Sequence, residues 1–265
     1  MTNLIIVAAV TAAALLAGAG ALHAIPRLGA AGRKLGDSFG RAPLLDLIVT
    51  FFLIAPLVVG PIVAGWWGIV AALVGQIVAL QTWVFLHELA HPAARRGPRI
   101  VKTMNRIVGR WRNHAAVWAT ATVVPLFWLV RLAQIFVYPL LTLLIGLPRY
   151  KAADWVNVSR HKFEGLVGHD LIWCLYCDWM TGVWSLGSEM LRNVESFWCP
   201  IRFASGKKCE NCKLDFPDVV GDWVAADAGM KEVTEVLEEK YAGRKERSWF
   251  GHPARLTVEG RDVKD

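Results

Sequence analysis

Two groups of residues in this chain have the types and spacing for chemistry. In the first, residues 85–97 read FLHELAHPAARRG, an H-E-x-x-H arrangement of His87, Glu88 and His91. On a helix, His87 and His91 stand four apart and share a face. Two imidazole nitrogens can then meet on one Zn²⁺ while Glu88 projects beside them as a base for metal-bound water. In the second group, all five cysteines fall after residue 170: Cys174 with Cys177, Cys199 before Pro200, and Cys209 with Cys212. Two C-x-x-C pairs 31 residues apart supply the four thiolates of a tetrahedral zinc site, and Cys199 offers a fifth.

The two cysteine pairs have different surroundings. KKCENCKLDF is hydrophilic, with charges that offset thiolate repulsion; LIWCLYCDWM is apolar and, if helical, puts its cysteines on one face at i, i+3. An apolar flank suits an iron–sulfur cluster, whose potential depends on excluding water. Disulfides replace either metal if the segment meets an oxidising compartment, with one thiol left over. Zinc, iron–sulfur and disulfide readings all stay open on spacing alone.

The HELAH stretch followed by Ala93-Ala94-Arg95-Arg96-Gly97 resembles the first motif of the site-2-type intramembrane zinc metalloproteases. The resemblance implies a zinc hydrolase in or at the membrane, with His87 and His91 as ligands and Glu88 as base. It extends over a short stretch only. The later N-P-D-G or L-D-G motif of that family does not follow His91, which leaves Asp46 as candidate third ligand. Pro92 is a further departure, because its ring opposes the Glu88 carbonyl and disfavours α geometry at His91.

The elements that position these groups are those of a membrane protein. Of 265 residues, 55% are hydrophobic and 19% charged, with mean hydropathy +0.38, too apolar for an ordinary soluble chain. Residues 1–148 carry 12 Lys/Arg against 3 Asp/Glu, whereas residues 149–265 carry 17 against 19. That step in charge and hydropathy predicts a transmembrane helical domain at 1–148 and a small mixed, water-facing Cys domain at 149–265. The overall charge of +7 is assigned to membrane topology and lipid headgroups, since no basic and aromatic nucleic-acid module is visible.

Leu4 to Ala24 is uncharged and long enough for one crossing, and it lacks the positive start of a cleaved leader. Leu44 to Leu86, interrupted by Asp46 alone among charges, predicts two helices joined near Gly65-Trp66-Trp67-Gly68. The basic stretches Pro26 to Pro43 and Pro92 to His114 are expected in the cytoplasm, putting the N-terminus outside. Ala115 to Leu147 exceeds one span and falls short of two, so one long tilted helix and a re-entrant hairpin are both open; Arg131 within it is expected to reach an interface. Folding Leu44 to Leu86 about its centre brings Asp46 level with His87, and the same orientation gathers His23, His91, His114 and Glu88 at that depth. Such a set suits Zn or Fe.

In the second half, residues 182–196 and 227–241 carry helical apolar spacing, the latter capped by Asp227 and ended by Gly243. His169-Asp170 reads as an oriented ligand or base, or as an ordinary turn. Serine-triad and phosphate-loop signatures are absent, as are internal repeats. The sequence therefore predicts an integral membrane accessory subunit of a larger complex, in a bacterial-type inner membrane, with a cytoplasmic Cys-liganded metal domain. Zinc is the expected ion, an iron–sulfur cluster its alternative, and other membrane subunits the partners. The remaining alternatives are an interfacial zinc hydrolase and an iron–sulfur electron carrier.

Overall fold

The structure, a computed structural model, describes residues 2–201, 224–225, 227–245 and 247. It is mostly helical (81%), and among the described residues there are no strands, so the described residues after 149 show helices and connections only, with no strand of the mixed architecture expected there. Among the described residues, four helical runs are long and apolar enough to cross a membrane: Thr2–Arg27, Leu44–Ala64, Trp67–Ala90 and Arg110–Ile145. By packing, the chain divides into two compact units, each drawn from two stretches: Met1–Pro125 with Lys151–Val183, and Leu126–Tyr150 with Trp184–Asp265. This division follows a different line from the hydropathy step at 148.

In the first unit, α1 (Thr2–Ala24) packs along α5 (Trp67–Ala90), which in turn pairs with α4 (Ala55–Ala64); α3 (Leu44–Val49) leads into that leg through Thr50–Ile54. Small residues recur on the buried face of α5 at Gly68, Ala71, Ala72, Gly75 and Ala79. Helices in lipid gain little from burying one apolar surface on another, so close backbone approach and dispersion hold them together, and this stripe permits it. A methyl group on Gly75 would lie 2.6 Å from the Ala8 carbonyl oxygen of α1. Gly60 and Gly68 press backbone against backbone where the hairpin closes, and Gly65 turns it with a φ of +64°.

Proline shapes the other leg. Pro56 has no N–H to give the carbonyl four residues back, at Phe52, and its ring crowds that turn. The helix widens there into a π turn over Thr50–Ile54, and Gln76 of α5 donates to the carbonyls of Phe52 at 2.8 Å and Leu53 at 3.0 Å. A side chain from the neighbouring helix thus satisfies groups that hydrocarbon would leave unpaired.

Beyond the spans lie α2 (Gly29–Phe39), α6 (Pro92–Arg96) and α7 (Ile100–Val108), and α8 (Arg110–Ala121) forms the first part of the fourth run. Lys151–Val183, which opens with the short α11 (Ala152–Trp155), docks on the same end of the hairpin as both basic stretches. Ala42 N–H donates to the Val156 carbonyl at 3.0 Å and Val158 N–H to that of Gly40 at 2.8 Å, while Lys162 pairs with Asp37 at 3.0 Å. Here α12 (His169–Trp198) begins beside Glu88 and Arg99, and Gly182 abuts the Trp155–Val156 backbone near Ala42. Its opening turns therefore run between the ends of the two hairpin legs. Alongside them lies α8, with Trp118 on Trp173 (6.3 Å between ring centroids) and the Tyr176 hydroxyl donating to the Thr120 carbonyl at 3.3 Å. Arg110–Ile145 is one helical run and no re-entrant hairpin, yet its first twelve residues pack against this docked segment.

In the second unit, α9 (Val124–Leu132), a π turn at Ala133–Val137 and α10 (Tyr138–Ile145) face the later turns of α12. Arg131 is buried, donating to the Gln134 side chain at 3.0 Å, where an interfacial position was expected. An in-protein acceptor offsets the desolvation that snorkelling would otherwise avoid. Buried Glu189 accepts from Tyr150 at 3.2 Å, and Asn193 donates to the same phenol at 2.6 Å. The last described helix, α13 (Met230–Tyr241), starts at Gly229, whose N–H is capped by Glu232 where Asp227 was expected.

Candidate functional site

The HELAH residues lie at the end of α5. The helix stops at Ala90 because the next residue precedes Pro92, and His91 sits at φ −124°, ψ 64°. Its ring turns back so that Nδ1 donates to the His87 carbonyl at 2.9 Å, replacing the helical bond that its own backbone no longer makes. Trp83 stacks on His87 with centroids 4.5 Å apart, and His91 lies 4.3 Å from His87 on the other side. His23 from α1 completes the group at 5.6 Å from His87 and 6.1 Å from His91. The predicted gathering thus occurs for three imidazoles. His114 instead faces His169 at 6.5 Å and accepts from Trp118.

Hydrogen bonding sets what these rings offer. Gly168 N–H donates to His87 Nδ1 at 3.3 Å, so the neutral ring carries its proton on Nε2. A metal-binding imidazole shows the reverse pattern, with the nitrogen away from the metal donating outward. His91, donating from Nδ1, keeps an open lone pair on Nε2, and His23 Nε2 accepts from Arg27 at 2.8 Å. Among the described residues, no three His, Cys, Asp or Glu side chains converge as a ligand set, Asp46 included.

Glu88 is engaged by cations. Oε1 accepts from Arg99 Nη2 at 3.0 Å, and Oε2 lies 3.8 Å from Arg95 Nε. Both carboxylate oxygens thus face guanidiniums, where a general base would turn one toward a metal-bound water. Gly168 at φ +58° lies so close to this carboxylate that a Cβ would overlap it.

The centre of the site is Arg99, which sequence reasoning treated only as one of several loop cations. Its side chain is 3% exposed, and that of Asp170 4%. Arg99 Nε donates to Asp170 Oδ2 at 2.8 Å, and Nη2 to the Val167 carbonyl at 3.0 Å as well as to Glu88. Asp170 also accepts from the first amides of α7, Ile100 N–H at 3.2 Å and Val101 N–H at 2.9 Å, capping that helix from another element. Burial alone would make Arg99 a weaker base; its hydrogen bonds to Asp170 and Glu88 outweigh that and hold its pKa above the ordinary value. Asp170 in the first turn of an apolar helix, after Gly168, was the available signal, but its partner 71 residues away was not readable.

The cysteines divide. Cys174 and Cys177 are half-buried free thiols on α12, one turn apart as expected, and Cys199 is a free, exposed thiol. Burial pushes the Cys174 thiol up, with the nearby Arg160 guanidinium pulling the other way. Arg160 itself pairs with Asp178 at 2.7 Å. Cys209 and Cys212 lie outside the described residues. The chain matches no protein-family profile, and no curated protein or solved structure matches it.

Proposed function

We propose that this chain is an accessory subunit of a membrane complex, in which the HELAH end of α5 is a structural joint and the later part of α12 is a partner-binding surface. The observation that carries this reading is an exposed stripe on α12. Trp184 is 57% exposed, Leu191 62% and Trp198 55%. Their spacing of seven puts all three within one narrow sector of the helix, since each heptad drifts by only about 20°. Large aromatic and aliphatic groups in one exposed row are the usual anchors of a protein interface.

Arg99, Asp170 and Glu88 tie the start of α12 to the end of a membrane helix, and that attachment is buried. Within the same reading, Cys174 and Cys177, one turn apart on α12, supply thiolates for zinc. The side carrying the basic stretches, and with it Lys151–Val183, is then the cytoplasmic one.

Purification of the tagged chain from its native membrane in mild detergent tests the subunit reading. A stoichiometric partner is expected, and the triple change Trp184→Ala, Leu191→Ala, Trp198→Ala is expected to release it while the protein stays monodisperse. A lone monomer, or a partner retained by the triple variant, would overturn the assignment. Elemental analysis of the same material, with and without Cys174→Ser and Cys177→Ser, tests the thiolate site.

A further inference from the structure

The basic stretch after α5 forms a cavity of about 570 Å³ lined by Glu88, Pro92, Arg95, Arg96, Arg99 and Lys102. Four cations against one carboxylate leave this lining at +3. Arg99 and Glu88 largely satisfy one another, and Arg99 is also committed to Asp170. Arg96 and Lys102 are exposed, and Arg95 is 49% exposed and 3.8 Å from Glu88, so three cationic side chains border the opening. Lys102 Nζ donates to the Arg95 carbonyl at 2.9 Å, which holds α7 against α6 at the rim.

The helix that supplies Lys102 has an unusual second face. Ile100 is 54% exposed, Met104 36%, Ile107 67% and Val108 39%, all on α7. With 100° per residue these apolar positions fall within an arc of about 100°, while Lys102, Arg106 and Asn105 occupy the opposite side. Apolar side chains in this number are unstable in water, and Arg99, just before the helix, donates to Glu88 near the end of Trp67–Ala90. A short helix of this kind rests in the headgroup region, apolar face toward the acyl chains, polar face toward water.

We infer that the cavity is a headgroup site for an anionic phospholipid, with α7 embedded beside it in the interface. The two observations are independent and agree in place: the cations border a concave space large enough for a phosphate-bearing headgroup, and the adjacent apolar row lies where the acyl chains of such a lipid would run. Arginine's planar donor fork suits phosphate oxygens, and Arg95 and Arg96 provide two such forks.

The test is native mass spectrometry of the full chain released from nanodiscs containing phosphatidylglycerol and phosphatidylcholine in equal amounts. The parent is expected to retain phosphatidylglycerol preferentially. The variant Arg95→Gln, Arg96→Gln, Lys102→Gln, which leaves the Arg99 cluster intact, is expected to lose about tenfold of that preference. A control, Arg33→Gln, Lys34→Gln, Arg112→Gln, removes equal charge elsewhere in the basic stretches and is expected to behave as the parent. Equal retention by parent and site variant, or an equal loss in the control, overturns the site. Displacement of the lipid by millimolar inorganic phosphate overturns the lipid assignment in favour of a free phosphate. Thermal unfolding of each variant in the same detergent establishes that a loss is not misfolding.

Discussion

Replacing Asp170 with Ala should unlatch the docked segment from the hairpin without unfolding the hairpin itself. The carboxylate is 4% exposed and accepts three hydrogen bonds: from Arg99 at 2.8 Å, Ile100 N–H at 3.2 Å and Val101 N–H at 2.9 Å. Removing one partner of a buried ion pair costs about 3–5 kcal/mol, because the remaining charge stays buried. Arg99 keeps Glu88 at 3.0 Å and the Val167 carbonyl, so the low end of that range applies. About 3 kcal/mol corresponds to roughly a hundredfold rise in the open population. Hydrogen exchange of the detergent-solubilised chain should then speed up about a hundredfold at the Ile100 and Val101 amides, with the protection of α4 and α5 unchanged. Asp170→Asn, which keeps one acceptor and loses the charge, should fall between. The paired change Arg99→Met with Asp170→Leu should recover part of the loss, since both deeply buried charges go together and Glu88, 21% exposed, keeps Arg95 at 3.8 Å. Exchange at those two amides that changes by less than about threefold in Asp170→Ala would refute the latch.

Gly75→Leu should separate α1 from α5, because even the first carbon of the side chain would lie 2.6 Å from the Ala8 carbonyl oxygen; cross-linking between introduced cysteines on the two helices reads this directly. Gln76→Leu should lower the thermal midpoint, since the Phe52 and Leu53 carbonyls lose their donor, at about 1–2 kcal/mol for a hydrogen bond in lipid. Burial lowers the pKa of His169 below its ordinary 6.5, opposed by Glu88 and reinforced by His114 and Arg99. The unfolded form then takes up its proton first, so stability from this group is complete above pH 6.5 and falls as the pH drops toward the lower folded value. His169→Gln should flatten that slope in thermal melts between pH 7 and 5. Alkylation at neutral pH should modify exposed Cys199 well before Cys174, whose thiol is half-buried and raised in pKa; mass mapping at short times gives the order.

Much of the architecture could be read from local pattern. Uncharged runs of crossing length predicted α1 and both hairpin legs, and Gly65 marked the reversal, because hydrocarbon leaves a chain few alternatives to the helix. The helical apolar spacings at 182–196 and 227–241 predicted helix, which α12 and α13 show there. The break at Pro92 followed from proline geometry and sets the position of His91. The fate of charged groups was less legible. Arg131 reads as a residue that must escape the bilayer until Gln134 is seen beside it.

Sequence by itself determined the helices, their breaks and the presence of titratable groups near one membrane end, since all of these depend on neighbours within a few residues. Only the tertiary structure decided what those groups do. Glu88 stands in a motif that suggests a base, but Arg99 reaches it from eleven residues on and Asp170 reaches Arg99 from seventy-one further. A carboxylate's chemistry is set by the charges within a few ångströms of it, and the fold chooses those charges.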